Sequence, residues 1–307
     1  MVTKASGFLA VPGSASEPPT AGAFRVAGSS SPGQNAGVNE LDGKVSVITG
    51  GAGGIGLALA RRFRRAGMRV AIADVEGAAL EAGVAALGGG SDVLGVACDV
   101  TALDDVHALR DAVLERFGAA HVVCANAGVA PTGPIVGTSI DTWRWVVDVN
   151  LMGVIHTIDA FAPSVVAQGD GHFVLTASAA GLSTTPGLGA YSATKHAVVG
   201  TAATLRAELA GTGVGVSVLC PGLVRTRIFD SERNRPGDAE SHADPETATM
   251  LKGIITGGVD PDEIADAVHA AVVDDRLFIL PTTDVAGMIR ARLDEVAAAL
   301  PVVPHTD

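Results

Sequence analysis

Tyr191 is the only tyrosine in the chain, and it stands four residues before Lys195, one of four lysines among 307 residues. On a helix that spacing puts both side chains on one face, a turn apart. A phenol beside an ammonium group can move a proton, because the positive charge favours the phenolate. Bringing a phenol from its ordinary value of about 10 to neutrality takes about 4 kcal/mol. A unit charge about 4 Å away supplies that much at an effective dielectric of about 20. An ordinary aromatic and an ordinary surface lysine are the plain alternative, so the pair draws its weight from the residues around it.

The second chemical feature is the run Thr49-Gly50-Gly51-Ala52-Gly53-Gly54-Ile55-Gly56. It follows an apolar stretch and precedes a helical pattern. Glycines there permit a tight turn, close backbone approach to a pyrophosphate, and a helix N-terminus aimed at the phosphates. Asp74 closes the next apolar stretch. A carboxylate at that point can accept from both hydroxyls of an adenosine ribose and would repel a 2′-phosphate. No Lys or Arg follows Asp74 directly, so the residues favour NAD over NADP.

The elements that must position these groups are legible from Lys44 onward. Apolar runs at Val45–Thr49, Arg69–Ala73, Val93–Ala97, His121–Ala125, His172–Ala177, Val214–Leu219 and Leu277–Leu280 read as strands. Amphipathic stretches such as Ile55–Ala66, Ala102–Phe117 and Ala190–Ala210 lie between them. Strands that are apolar throughout, each followed by a helix, indicate a parallel sheet covered on both faces. The expectation is one doubly wound α/β domain over 41–283, with ligands outside the carboxyl ends of its strands. Residues 284–307 read as a C-terminal helix and tail. In residues 1–40, 23 positions are Gly, Ala, Ser or Pro, the composition of a disordered tail.

Composition narrows the function classes. Hydrophobic residues make up 48% of the chain and mean hydropathy is +0.37, enough for one large core. Gly, Asp or Arg interrupts the apolar stretches, so no membrane-spanning helix is expected. A net charge of −12 disfavours nucleic acid or an anionic membrane surface as partner. Arg61, Arg62, Arg64 and Arg65 read as the solvated face of a helix. Cys98, Cys124 and Cys220 read as buried thiols of a reduced cytoplasmic protein. The eight histidines show no metal-ligand spacing, so no metal is expected and zinc alcohol dehydrogenase chemistry is disfavoured. No Gly-x-Ser-x-Gly elbow supports a hydrolase.

With these motifs in view, the chain resembles the short-chain dehydrogenase/reductase family, compact single-domain branch, over about 41–280. Thr49, Gly50, Gly54 and Gly56 fit its glycine pattern. Asp99 and Val100 match its adenine-contacting pair, and Asn126-Ala127-Gly128 its Asn-Ala-Gly motif. Asn150, Ser178, Tyr191 and Lys195 match its catalytic tetrad. Pro221, Gly222, Val224 and Thr226 match the segment that holds the nicotinamide carboxamide. The resemblance implies a Rossmann-type, mostly parallel seven-stranded sheet in the order 3-2-1-4-5-6-7, with NAD bound by these positions and Ile55. It also implies roles. Tyr191 exchanges a proton with a secondary alcohol, Lys195 lowers the phenol and binds the nicotinamide ribose, Ser178 steadies the alkoxide, and Asn150 holds a relay water. Homodimers or homotetramers built through the Asn150 and Tyr191 helices are implied too.

Residues 225–259, the most irregular part of the domain, read as a lid over the substrate. Leu188, Ile228, Phe229 and Met250, with Val129 and Pro131, suggest an apolar pocket for an alicyclic or terpenoid secondary alcohol. Arg225 and Arg227 read as solvent-facing, with a substrate carboxylate as the alternative. Two rival functions are an NADPH-dependent ketone or ketoacyl reductase, which Asp74 opposes, and a non-catalytic dinucleotide sensor. A sensor has no need of Ser178, Tyr191 and Lys195 together.

Overall fold

The computed structural model describes residues 40–237 and 245–301. Nearly all of the expected N-terminal tail, the last residues of the C-terminal tail and 238–244 within the expected lid lie outside them.

Seven strands form one sheet: β1 (Val45–Thr49), β2 (Arg69–Asp74), β3 (Val93–Ala97), β4 (Val122–Ala125), β5 (Gly171–Thr176), β6 (Val214–Leu219) and β7 (Phe278–Ile279). Their order is β3-β2-β1-β4-β5-β6-β7, and every pairing is parallel. The register brings carboxyl ends together: Thr49 lies beside Ala73, and Thr176 beside Leu219.

Among the described residues the helices are α1 (Gly54–Arg65), α2 (Gly77–Ala86), α3 (Leu103–Phe117), α4 (Ile140–Val147), α5 (Gly153–Gln168), α6 (Gly189–Glu208), α7 (Pro245–Ile255), α8 (Pro261–Val273) and α9 (Ala286–Ala298). Side-chain alternation along the strands feeds two cores. Val45 and Val47 join a cluster with Leu109 of α3, Phe161 of α5 and Val198 of α6. Ile48 points the other way, to Phe63 of α1, Leu80 of α2 and Ile264 of α8. β3 departs from the expectation of burial on both faces: at the sheet edge only Val93 is buried, Leu94 and Val96 are half-buried, and Gly95 and Ala97 are exposed.

Local chemistry sets several helix boundaries. Asp260 caps α8 by accepting from Asp262 N at 2.9 Å, with Pro261 at the first helical position. Gly118 ends α3 at φ +81°, which favours glycine. α1 has no side-chain cap at its N-terminus, so its first N–H groups remain available.

One reading needs correction. Arg61 and Arg62 are not merely solvated: they pair with Asp262 and Asp266 of α8, each at 2.7 Å. Arg64 donates to Met68 O at 2.9 Å, while Arg65 is exposed. A π-helical turn, Asp148–Met152, fuses α4 to α5, and Ile140–Gln168 is long and apolar enough to cross a membrane by length and composition alone. Here it carries buried Asn150, Val154, Thr157 and Phe161.

Candidate active site

A cavity of about 680 Å³ opens above the carboxyl ends of the strands. Its floor is the glycine turn between β1 and α1. Gly50 has φ +62°, and a Cβ there would lie 2.8 Å from Ala127 Cα. A Cβ on Gly56 would lie 2.1 Å from Gly50 O, so the turn packs backbone on backbone. Gly54 and Ile55 border the cavity where α1 begins. Thr226 closes on the same point, its Cγ2 3.0 Å from where a Gly54 Cβ would stand.

Asp74 ends β2 at the cavity wall. Its Oδ2 accepts from Ala52 N in the glycine turn at 3.0 Å, and its Oδ1 from Glu76 N at 3.1 Å. Asp99 also borders the cavity and accepts from Thr101 N and Oγ1 at 2.9 and 2.8 Å. Val100 is buried beside it and fills the space over Gly153, where a Cβ would meet Val100 Cγ2 at 2.7 Å.

Asn126 behaves as a brace. Its Nδ2 donates to Thr49 O and Gly50 O at 3.0 and 3.2 Å, and its Oδ1 accepts from Thr176 Oγ1 at 3.2 Å. The side chain ties β1, β4 and β5 together beneath the cavity. Gly128 leaves room for two functional groups: a Cβ there would lie 3.4 Å from Asn150 Oδ1 and 3.5 Å from Lys195 Nζ.

Asn150 is fully buried in the π-helical turn. Its Oδ1 accepts from Val129 N at 2.8 Å, and its Nδ2 donates to Val129 O at 2.9 Å and Thr194 Oγ1 at 3.3 Å. Thr194 Oγ1 in turn donates to Tyr191 O at 2.8 Å. The side chain is therefore a strut that fixes the first turn of α6 through Thr194, a residue the sequence reading passed over.

Tyr191 and Lys195 lie on α6, and Ser178 follows β5. All three border the cavity. Ser178 caps a short 3-10 turn, Ala179–Gly181, by accepting from Ala180 N at 3.2 Å. Gly181 lets that turn touch α6, since a Cβ there would meet Lys195 O at 2.6 Å. Lys195 Nζ donates to Thr176 O at 2.8 Å and sits 5.6 Å from the centre of the Tyr191 ring.

The electrostatics differ from the simple expectation. Burial pushes the Tyr191 phenol above its ordinary value, while a hydrogen bond with Ser178 pulls it down. Burial pushes Lys195 down to about 8. The ammonium is held on Thr176 O, and burial is the largest influence on the phenol.

Pro221, Gly222 and Val224 line the far wall. Gly222 N donates to Thr282 Oγ1 at 2.9 Å, and Leu223 N to Asp284 Oδ2 at 3.0 Å. Of the residues expected around the substrate, Leu188, Ile228, Phe229 and Val129 border the cavity. Met250 does not: it is 56% exposed, and α7 turns Leu251, Ile254 and Ile255 inward instead. Pro131 lies in a separate small recess with Thr132. Val285 and Met288 add apolar wall from the C-terminal segment. Arg225 and Arg227 are both exposed, as expected, and each meets an acidic side chain. Arg225 pairs with Asp260 at 2.6 Å, and Arg227 approaches Glu76 at 3.6 Å. Among the described residues no cluster of His, Cys, Asp or Glu could hold a metal ion.

Comparison with known proteins agrees with this geometry. The family model for short chain dehydrogenase matches residues 44–237. A 1-deoxy-11-beta-hydroxypentalenate dehydrogenase of Streptomyces exfoliatus is 36% identical over 263 residues, covering 83% of this chain and 89% of that protein. A C alpha-dehydrogenase of Sphingobium sp. is 34% identical over 254 residues, covering 81% and 83%. A short-chain dehydrogenase/reductase from Burkholderia phymatum, solved in complex with NAD, superposes with a TM-score of 0.81 at 38% identity, covering 87% of this chain and 99% of that one. The chain belongs to the short-chain dehydrogenase/reductase family, whose chemistry is oxidoreduction of an alcohol and its carbonyl partner.

Proposed function

We propose that the protein is an NAD-dependent dehydrogenase interconverting a hydrophobic secondary alcohol, alicyclic or terpenoid in class, and its ketone. The observation that carries this reading is that Ser178, Tyr191 and Lys195 open into the same cavity as the glycine turn and Asp74. The residues fit a nicotinamide dinucleotide. The uncapped N-terminus of α1 suits a pyrophosphate, and Asp74 suits an unphosphorylated ribose. The guanidinium groups that border the cavity, of Arg227 and Arg233, are engaged by Glu76. When bound, the oxidised nicotinamide accepts the hydride and brings positive charge to the site.

In oxidation Tyr191 Oη takes the proton of the substrate hydroxyl, and in reduction it returns that proton to the oxygen. Ser178, which borders the same cavity as the phenol, donates its one hydroxyl proton to the substrate oxygen as negative charge develops. Lys195, anchored on Thr176 O, supplies cationic charge beside the phenol and a donor for the ribose. Asn150 keeps the Tyr191 turn in register through Thr194. Residues 225–237 and 245–259 act as the substrate lid of a catalytic domain spanning 41–283. Ile228, Phe229 and Leu251 give the alcohol an apolar enclosure, and Val285 and Met288 of the C-terminal segment complete it.

The test follows absorbance of the reduced nicotinamide while cyclic, terpenoid and aliphatic alcohols are offered with NAD and with NADP. Turnover with NAD and a cyclic or terpenoid alcohol is expected. Tyr191→Phe is expected to abolish turnover while NAD binding stays within about twofold. Preference for NADP would discard the cofactor assignment, and substantial activity in the Phe variant would remove Tyr191 from its role.

A further inference from the structure

Glu76 is the first residue beyond β2 that meets the segment following Val224. Its Oε1 accepts from Arg233 Nε at 3.0 Å, from Arg233 Nη2 at 2.6 Å and from Asn234 Nδ2 at 3.0 Å. Its Oε2 faces Arg227 Nη2 at 3.6 Å. The Glu76 and Arg233 side chains are 26% and 34% exposed, so the cluster sits at the rim of the cavity that all four residues border. Convergence of three donors on one carboxylate oxygen distinguishes it from an isolated surface pair. The Arg233 hydrogen bond holds the Glu76 carboxyl below the usual carboxylate range, against the opposing effect of burial.

The same segment is pinned on the opposite bank. Ser231 Oγ, buried, accepts from Ala130 N at 2.9 Å. Arg235 donates to Thr142 Oγ1 at 3.1 Å and lies 4.6 Å from the Trp145 ring centre. Asp230 joins Lys252 of α7 at 2.6 Å. A chain fixed on both sides of an opening spans it, and between the two anchors Ile228 and Phe229 border the cavity. Glu76 also reaches back to the cofactor side, because its own N–H donates to Asp74 Oδ1 at 3.1 Å.

We propose that Glu76 is a positioning residue that straps the segment Arg227–Asn234 across the cavity and so sets the rate at which a bound dinucleotide leaves. The proposal rests on the dinucleotide reading above. Escape requires the carboxylate to release Arg233, Asn234 and Arg227 together. Opening the strap also frees Ile228 and Phe229, so one acidic residue on the adenosine side governs order on the substrate side.

The test uses the full-length chain and NADH, with release followed by stopped-flow fluorescence. E76Q keeps the shape and removes the charge, and is expected to speed release by about tenfold. R233Q should do the same. The E76Q/R233Q double variant should match E76Q rather than multiply the two effects, because the charged Arg233 contact is already lost when Glu76 is replaced. Raising salt should speed release in the natural chain and have little effect in E76Q. Release within about twofold of the natural rate in E76Q, or multiplicative effects in the double variant, would overturn the strap alone. Failure of the natural chain to bind NADH or NADPH would overturn the dinucleotide reading and the strap with it.

Discussion

Asn150→Ala tests the strut most directly. The change removes a buried side chain that satisfies both Val129 N and Val129 O and donates to Thr194 Oγ1. Two backbone groups lose their partner in a site closed to solvent, at about 1–3 kcal/mol each, while Thr194 keeps its bond to Tyr191 O. The expected loss is about 3 kcal/mol, a large part of a typical folding free energy of about 5–15 kcal/mol. Urea unfolding followed by the fluorescence of Trp143 and Trp145 measures it, with the slope unchanged. Asn150→Asp separates hydrogen bonding from size. At neutral pH its second oxygen would face Val129 O, acceptor against acceptor, and protonation would restore a donor. The folded state therefore raises the pKa of that carboxyl above its unfolded value, and stability relative to Asn150→Ala should be present at low pH and lost as pH rises. An Ala variant within about 0.5 kcal/mol of the natural chain would refute the reasoning. So would an Asp variant that gains on Ala as pH rises.

Three further outcomes follow from the geometry. His172 is buried, with Nε2 2.8 Å from Ser217 Oγ and Nδ1 unpartnered, and burial holds its pKa down to about 3. The unfolded chain protonates this residue near pH 6.5, so folding stability is complete above that value. It falls by about 1.4 kcal/mol per pH unit as pH drops towards 3. His172→Gln should remove that part of the slope in urea titrations, and an unchanged slope would count against a neutral buried imidazole. Gly56→Ala forces a Cβ to 2.1 Å from Gly50 O. It should destabilise by about 1–3 kcal/mol and weaken NADH binding at least about tenfold in a fluorescence titration. Gly53→Ala, whose Cβ meets nothing within 4 Å, should leave stability nearly unchanged by the same urea measurement.

What the chain discloses before folding follows from how local each signal is. Strand positions were readable because parallel strands buried on both faces are apolar throughout, and the glycine turn because backbone crowding demands glycine where Gly50 and Gly56 meet. Met250 falls outside the cavity because the rotational phase of α7 depends on what it packs against, and each step along a helix turns the side chain by about 100°. The π-helical turn at Asp148–Met152 carries no composition signal of its own. The pairing of Arg61 with Asp262 links positions 201 residues apart, beyond any local pattern. Thr194 lies inside the Tyr191–Lys195 interval, yet its part emerges only when Asn150 arrives from another helix. The phenol's environment could not be inferred from spacing either, since the sequence gives the offset between Tyr191 and Lys195 but not the carbonyl of Thr176 that takes the ammonium.

β5 joins two kinds of residue that need never interfere. His172 stands near its start, beside the Asp275–Arg206 ion pair, and Thr176 at its end holds Lys195. Four residue steps along an extended strand separate them by about 13 Å. Substitutions around the lower end should therefore alter how the protein withstands acid without touching the contact that anchors Lys195. A durable variant could be sought there without touching the working edge of the sheet.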